Sequence, residues 1–369
     1  MTRLPRAGAA LAALLTVGLL AGCASGSPQA SSEPTTAGAR VPLSELQLAP
    51  DPRDLHGEST ALLGTAEITP LPGTPAQELP VTVASHDRGG DTRVTVKSTK
   101  RLLGIDISGT IAATIAGLGF ADSLVGRDVS TTFPAAAKLP LVTSSGHSVN
   151  AEGVLALKPT LIVTDGTVGP ADVLLQLRDA GIPVVFVARE PGLADSADLA
   201  RQVGAALGAP EAGERLATRL QQEIDHKVAE IAAIAPTTPG DGVRMLFLYI
   251  RGNSGIYYLF GEESGADELI TGLGGVDVAG EIGWSGMKPM TDEAMIAANP
   301  DLILVMTDGL KSTGGVDGLL TARPAIALTA AGQHRRFVDM ADGEILGFGP
   351  RTPDVLDALA RAVYAPAAK

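Results

Sequence analysis

Two side chains with donor atoms sit at loop edges in opposite halves of this sequence. His147 lies in a Ser-Ser-Gly-His-Ser loop ahead of a short helix, and Tyr249 ends an apolar strand that continues into Ile-Arg-Gly-Asn. A neutral imidazole offers one nitrogen lone pair, and a phenol offers an oxygen that ionises near pH 10 in water, about the free tyrosine value. Arg251, two positions beyond Tyr249 in extended chain, falls on the same side and is placed to donate to that oxygen. Alone, a loop histidine reads as a surface residue and a strand-end tyrosine as packing. Their placement in opposite halves is what points both at a shared cleft. His56, His86, His226 and His334 fall in an N-terminal extension, on a connecting helix or in a surface-like loop, and read as solvent-facing. Enzyme signatures are missing: there is no GxSxG, no HExxH and no P-loop, and Gly272-Leu-Gly-Gly275 is too short for a dinucleotide fingerprint.

The elements that must carry these residues come in two related sets. Around His147 the chain reads Glu152, a short helix, Pro159 as helix stop and the buried strand 160–163. Downstream, Glu293 and Pro300 stand with the same spacing ahead of another apolar strand. From residue 93 on, apolar strands alternate with helices, at 94–96, 109–118, 124–126, 171–180 and 184–187, then at 244–250, 256–260, 266–273, 336–340 and 352–364. That alternation predicts an α/β protein with mainly parallel sheets. Thr352 followed by Pro353 reads as the cap and first turn of the last helix. Between the halves, Leu216, Leu220, Ile224, Val228 and Ile231 recur at helical spacing. A helix over 211–234 spans about 36 Å at 1.5 Å per residue, enough to cross between lobes. The expected organisation is a leader at 1–23, a Ser/Pro/Gly-rich tether and poorly structured extension at 24–92, lobes at 93–207 and 236–369, and a connecting segment at 208–235. From the extension, Leu43, Leu46, Leu48, Val81 and Val83 are candidates to pack on the body. A single stiff crossover predicts little hinge closure.

Composition narrows the function further. With 28 Lys and Arg against 41 Asp and Glu the net charge is −13, which opposes nucleic-acid backbones and suits a solvated exported body. Residues 1–23 carry Arg3 and Arg6, an apolar run too short to span a bilayer permanently, and Leu20-Ala21-Gly22-Cys23. Cys23 is the only cysteine, so no intramolecular disulfide forms. Leu-Ala-Gly-Cys resembles the bacterial lipobox, which implies that Cys23 becomes the lipidated first residue and anchors the body outside the membrane.

Together, this leader, the Glu152 and Glu293 helices, the connecting helix and the His147 and Tyr249-Ile-Arg251 placements resemble the substrate-binding lipoproteins of bacterial haem importers. The HmuT-type haemin-binding proteins of Gram-positive actinobacteria are most similar. The resemblance covers about residues 93–369, and its framework is shared with siderophore and cobalamin binders. It implies a periplasmic-binding-protein-like fold of two lobes on a helical backbone, of the metal and haem receptor type. It implies that His147 and Tyr249 ligate the iron of haem b, Fe(III) protoporphyrin IX, on opposite faces, with the haem as transported ligand. Tyrosinate, a hard anionic oxygen donor, suits Fe(III). For the porphyrin walls the loop positions suggest Tyr258, Trp284, Met287, Met290 and Phe348, and for the propionates Arg189, Lys288 and Arg351. Glu152 and Glu293 would dock onto arginines of a membrane permease, although a carboxylate at a helix N-terminus also stabilises the helix by about 0.3–1 kcal/mol. The implied partners are an ABC importer permease, its ATPase and a haem donor protein, with the chain a monomer lipid-anchored on the extracytoplasmic face of a Gram-positive cell membrane. A ferric siderophore or cobalamin carrier is the alternative within the fold. From another class, an exported haem enzyme would need an open iron position that two axial ligands remove, so no catalytic residues are expected.

Overall fold

The computed structural model describes residues 40–144, 147–238 and 240–366. The leader and the expected lipidation residue Cys23 lie outside the described residues. The first half is built on three apolar strands, Leu102–Ile105, Leu161–Thr164 and Val184–Phe186, each buried throughout. They pair in parallel, with Leu102 opposite Leu161 and Ile162 opposite Val184. A parallel sheet is covered on both faces, so its strands are apolar runs without polar alternation. Leu102, Val163 and Val185 pack on one side with the helices Thr110–Gly117 and Asp195–Ala206. Leu103, Ile162 and Val184 pack on the other with Ala151–Leu157 and Ala171–Asp179. The expected strand at 124–126 makes only a single bridge, Leu124 to Leu102, because a tight turn over Ala121–Ser123 delivers the chain at the sheet edge.

The second half centres on Arg244–Arg251. Leu302–Met306, Phe337–Met340 and Ser59–Thr60 extend the sheet in parallel on one side, and Ile256–Phe260 and Met287–Pro289 in antiparallel on the other. Met245 and Phe247 enter one core while Leu246, Leu248 and Ile250 enter the opposite one, as strand alternation requires.

The connecting helix, Pro210–Ala232, belongs to both halves: Leu216 and Leu220 are buried in the first core, Ile224 and Ile231 in the second. A second crossing corrects the expectation of a poorly structured extension for residues 40–92, the described part of it. Leu43, Ala61 and Leu63 fill the second core, and Leu71 the first. Between them the segment runs along the connecting helix, whose Arg219 donates to the carbonyls of Thr69 and Pro70. Val81–Ser85 then pairs with Thr92–Val96 against the first core. A third tie joins the loop before the last helix to the first half. Arg189 donates to the Phe348 carbonyl, the Ser196 and Thr352 hydroxyls meet at 3.0 Å, and Gly343 lies close against Ser130. Thr352 is therefore not the cap of the last helix, Thr352–Tyr364, but its first residue, and its hydroxyl accepts the Gly349 N–H while reaching Ser196.

Candidate functional site

His147 is held by backbone pairing on both sides. The short antiparallel pair Thr143–Ser144 and Ser148–Val149 closes its loop, and the Gly169 N–H donates to the His147 carbonyl at 3.2 Å. The residue itself sits at φ 60°, a left-handed conformation uncommon for non-glycine residues. Its Nδ1 is buried with no partner among the described residues. Burial holds the imidazole pKa below its usual value, the Arg251 charge adds to this, and Asp342 opposes it. The ring therefore favours the neutral form that a donor nitrogen needs, and Arg251 and Asp342 lie close enough to act on it.

Those two charges belong to the second half. The sheet places Tyr249 opposite Tyr258, and Tyr249 stacks on Phe260 with ring centroids 5.8 Å apart. Arg251 follows on the same face, as two residues along a strand must. Its guanidinium carbon lies 4.5 Å from the Tyr249 ring centroid, and its Nη2 pairs with Asp342 at 2.9 Å. Asp342 in turn accepts the Asp308 N–H, and burial pushes its carboxyl pKa up. Arg251 was expected at the phenol oxygen. It lies instead over the ring face, because Asp342 and the Ile250 carbonyl hold its donors. The Arg251 and Asp342 charges of the second half thus act on His147 of the first, and the same Arg251 covers the Tyr249 ring.

The family model for periplasmic binding proteins matches residues 106–342. The chain belongs to the periplasmic binding protein family. Among curated relatives of this binding protein, an ABC transporter substrate-binding lipoprotein of uncharacterised role from Bacillus subtilis strain 168, YvrC, is 28% identical over 77% of this chain and 86% of its own. A vitamin B12-binding protein of Pectobacterium carotovorum is 33% identical over 34% of this chain and 44% of its own. Among solved structures, a heme binding protein, HmuT, is 39% identical over 85% of this chain and 99% of its own, with a TM-score of 0.78. That protein has also been solved with a histidine replaced by alanine, and likewise with a tyrosine and an arginine two positions apart replaced.

The binding protein arranges the other sequence-predicted residues differently from expectation. On the edge strand Met287–Pro289, Met287 pairs with Phe260 and so shares the face of Tyr249 and Tyr258, with 61% of its surface exposed. Lys288 pairs with Leu259 and lies on the opposite face, 6.0 Å from the Trp284 ring, so pleating removes its charge from the Tyr249 side. Trp284 instead donates its indole N–H to the Leu259 carbonyl, and Met290 is buried in the same opposite core. Phe348 is buried at the joint between the halves, with its ring and Pro191 both close to Gly265. Arg189 is paired with Asp195 and bonded to Thr110, and Arg351 is buried against Glu344. Neither guanidinium is free to meet a propionate. His334, expected in solvent, is half-buried and stacks on His56 with centroids 4.1 Å apart.

Residues missed in the sequence complete the neighbourhood. Asp342 and Met306 contact Arg251, and Phe260 supports Tyr249. Ile107 and Val129 follow the strand ends of the first half and remain 48% and 43% exposed, joined through Ser130, whose hydroxyl donates to the Ile107 carbonyl. Ligands of open α/β sheets bind beyond the carboxyl ends of the strands, and that rule was the available signal for Ile107. Beneath this rim lies a carboxylate network. Asp106 accepts the Thr110 and Ile111 N–H groups, Asp128 accepts those of Asp106 and Thr131, and Asp165 holds Thr167, whose hydroxyl accepts the Ile107 N–H. Burial first, and the Asp106 charge second, push Asp128 up to about 7 and Asp165 to about 6. The network fixes the loops that carry Ile107 and the Gly169 contact to His147.

Proposed function

We propose that this chain captures haem b, as Fe(III) protoporphyrin IX, outside the cytoplasmic membrane and passes it to an ABC importer permease without catalysing a reaction. The observation that carries this reading is the convergence of His147 from one half with Tyr249, Arg251 and Asp342 from the other. A neutral imidazole from one half and a phenol oxygen from the other would supply two axial donors of different hardness, and the oxygen suits Fe(III). Arg251 over the ring face attracts the electron density that a tyrosinate carries. Tyr258 and Met287, on the Tyr249 face of the sheet and not fully buried, offer apolar surface for the porphyrin. The 39% identity to a heme binding protein over nearly all of that protein supports haem as the ligand class. So does the His, Tyr and Arg set replaced in its variants.

A siderophore carrier would draw on a cluster of free cations. Arg189 and Arg351 are committed to Asp195 and Glu344, which weighs against that reading. The vitamin B12-binding relatives align with little more than a third of the chain. In this proposal Cys23 carries the lipid anchor, and Glu152 and Glu293, both exposed, face the permease. An absorption titration with haemin tests the site. Wild type should develop Soret and charge-transfer bands that shift in Tyr249→Ala and His147→Ala, with weaker binding in both. Identical spectra and affinities across the three would overturn the assignment.

A further inference from the structure

The helices bearing Glu152 and Glu293 match beyond their sequence spacing. In Ala151–Leu157 the Asn150 side chain caps by accepting the Gly153 N–H, and in Asp292–Ala298 the Thr291 hydroxyl accepts the Ala294 N–H. Both helices end on a non-glycine residue in the left-handed region, Lys158 at φ 46° and Asn299 at φ 38°. Val154 and Met295 are the matching inward residues. Three positions after each glutamate, on the same helix face, stands a large aliphatic side chain turned to solvent: Leu155 is 46% exposed and Ile296 49%. The helix packed beside each adds another, Leu175 on Ala171–Asp179, and Leu328 just past Pro324–Ala327. A single exposed aliphatic side chain is ordinary, but the recurrence of Leu155 and Ile296 at corresponding places, each on the face of a glutamate, is not explained by packing.

We propose that Leu155 and Ile296, flanked by Leu175 and Leu328, are the apolar half of a two-point docking surface for the membrane subunits of the importer. This rests on the proposed role of Glu152 and Glu293 as permease contacts. The occupant is a protein surface offering a cation beside an apolar hollow, and offering that pair twice. Two chemically equivalent patches on one chain fit two copies of one partner surface, and the net charge of −13 complements a basic face. Within each patch the glutamate steers and orients while the aliphatic side chain, desolvated on contact, slows release.

The test uses the haem-loaded protein and the permease–ATPase complex of a haem importer from the same organism in nanodiscs, reading the dissociation constant and ATPase stimulation. Leu155→Ser and Ile296→Ser are each expected to weaken binding about tenfold and the double variant further. Haemin titrations should match wild type, showing that the fold is kept. The aliphatic losses should persist at high salt, whereas those of Glu152→Gln and Glu293→Gln should shrink as salt screens the charge. If the serine variants bind like wild type while the glutamine variants weaken, the apolar proposal is overturned and the glutamate contacts stand. If all bind like wild type, both fall. If only the serine variants weaken, the apolar surface stands and the glutamate role fails.

Discussion

The Arg251 guanidinium carbon lies 4.5 Å from the centre of the Tyr249 ring while its Nη2 pairs with Asp342 at 2.9 Å. One cation is thus shared between an aromatic face and a carboxylate, and a lysine cannot reproduce both contacts, because its point charge lacks the planar fork. Arg251→Lys is expected to weaken haemin binding by about 3-fold to 10-fold. Asp342→Asn should act in the same direction and less strongly, since it loosens Arg251 while keeping an acceptor for the Asp308 N–H. Absorption titrations measure both, and wild-type affinity in Arg251→Lys would show that the stacking geometry is immaterial.

Asp165 makes stability depend on pH in a calculable direction. Its carboxyl is raised from 3.8 to about 6, so the folded chain holds its proton where the unfolded chain has lost it. The stabilisation is complete below pH 4 and is lost as pH rises towards 6. Asp165→Asn keeps the acceptor for the Thr167 N–H and hydroxyl but removes the charge. At pH 8 it should gain about 1–3 kcal/mol, with a flatter profile between pH 4 and 6. Urea midpoints measured across that range decide, and a slope equal to wild type would contradict the assignment.

Two helices of the first half touch through bare backbone. A Cβ on Gly204 would stand 2.5 Å from the Gly213 Cα, so the helices Asp195–Ala206 and Pro210–Ala232 would have to separate. Overpacking against backbone outweighs the helix preference of alanine, and Gly204→Ala should cost about 1–3 kcal/mol. Thermal or urea unfolding reads this loss directly.

The halves are joined by the connecting helix, by the segment running from Leu43 to Leu71 along it, and by the contacts of residues 343–352 with Thr110, Ser130 and Ser196. Three ties leave little freedom for closure around a ligand. The small-angle scattering radius of gyration should be the same with and without haemin. A clear contraction on binding would contradict a rigid joint.

Much of this organisation is visible in the primary structure. Its apolar runs announce buried parallel strands, the 3.6-residue recurrence from Leu216 to Ile231 announces the connecting helix, and the Glu152 and Glu293 spacings announce the repeat. Each is a local signal, carried by residues within one element. Of the extension, Leu43, Leu46, Val81 and Val83 were legible as apolar positions that pack on the body. Ala61, Leu63 and Leu71 escaped, because Ser, Pro and Gly imply disorder by composition and these residues find their cores only through distant partners.

The residues of the site divide along the same line. Sequence alone determined that His147 and Tyr249 stand at loop edges of different halves and that Arg251 shares the Tyr249 face, because strand alternation is local. Tertiary structure alone decided that Asp342 would take the Arg251 charge, that Arg189 and Arg351 would be neutralised by Asp195 and Glu344, and that Met287 would face Tyr249 while Lys288 turned away. Which partner a charged group meets, and which face of an edge strand points inward, depend on register and packing between elements far apart in the chain. No local spacing encodes them.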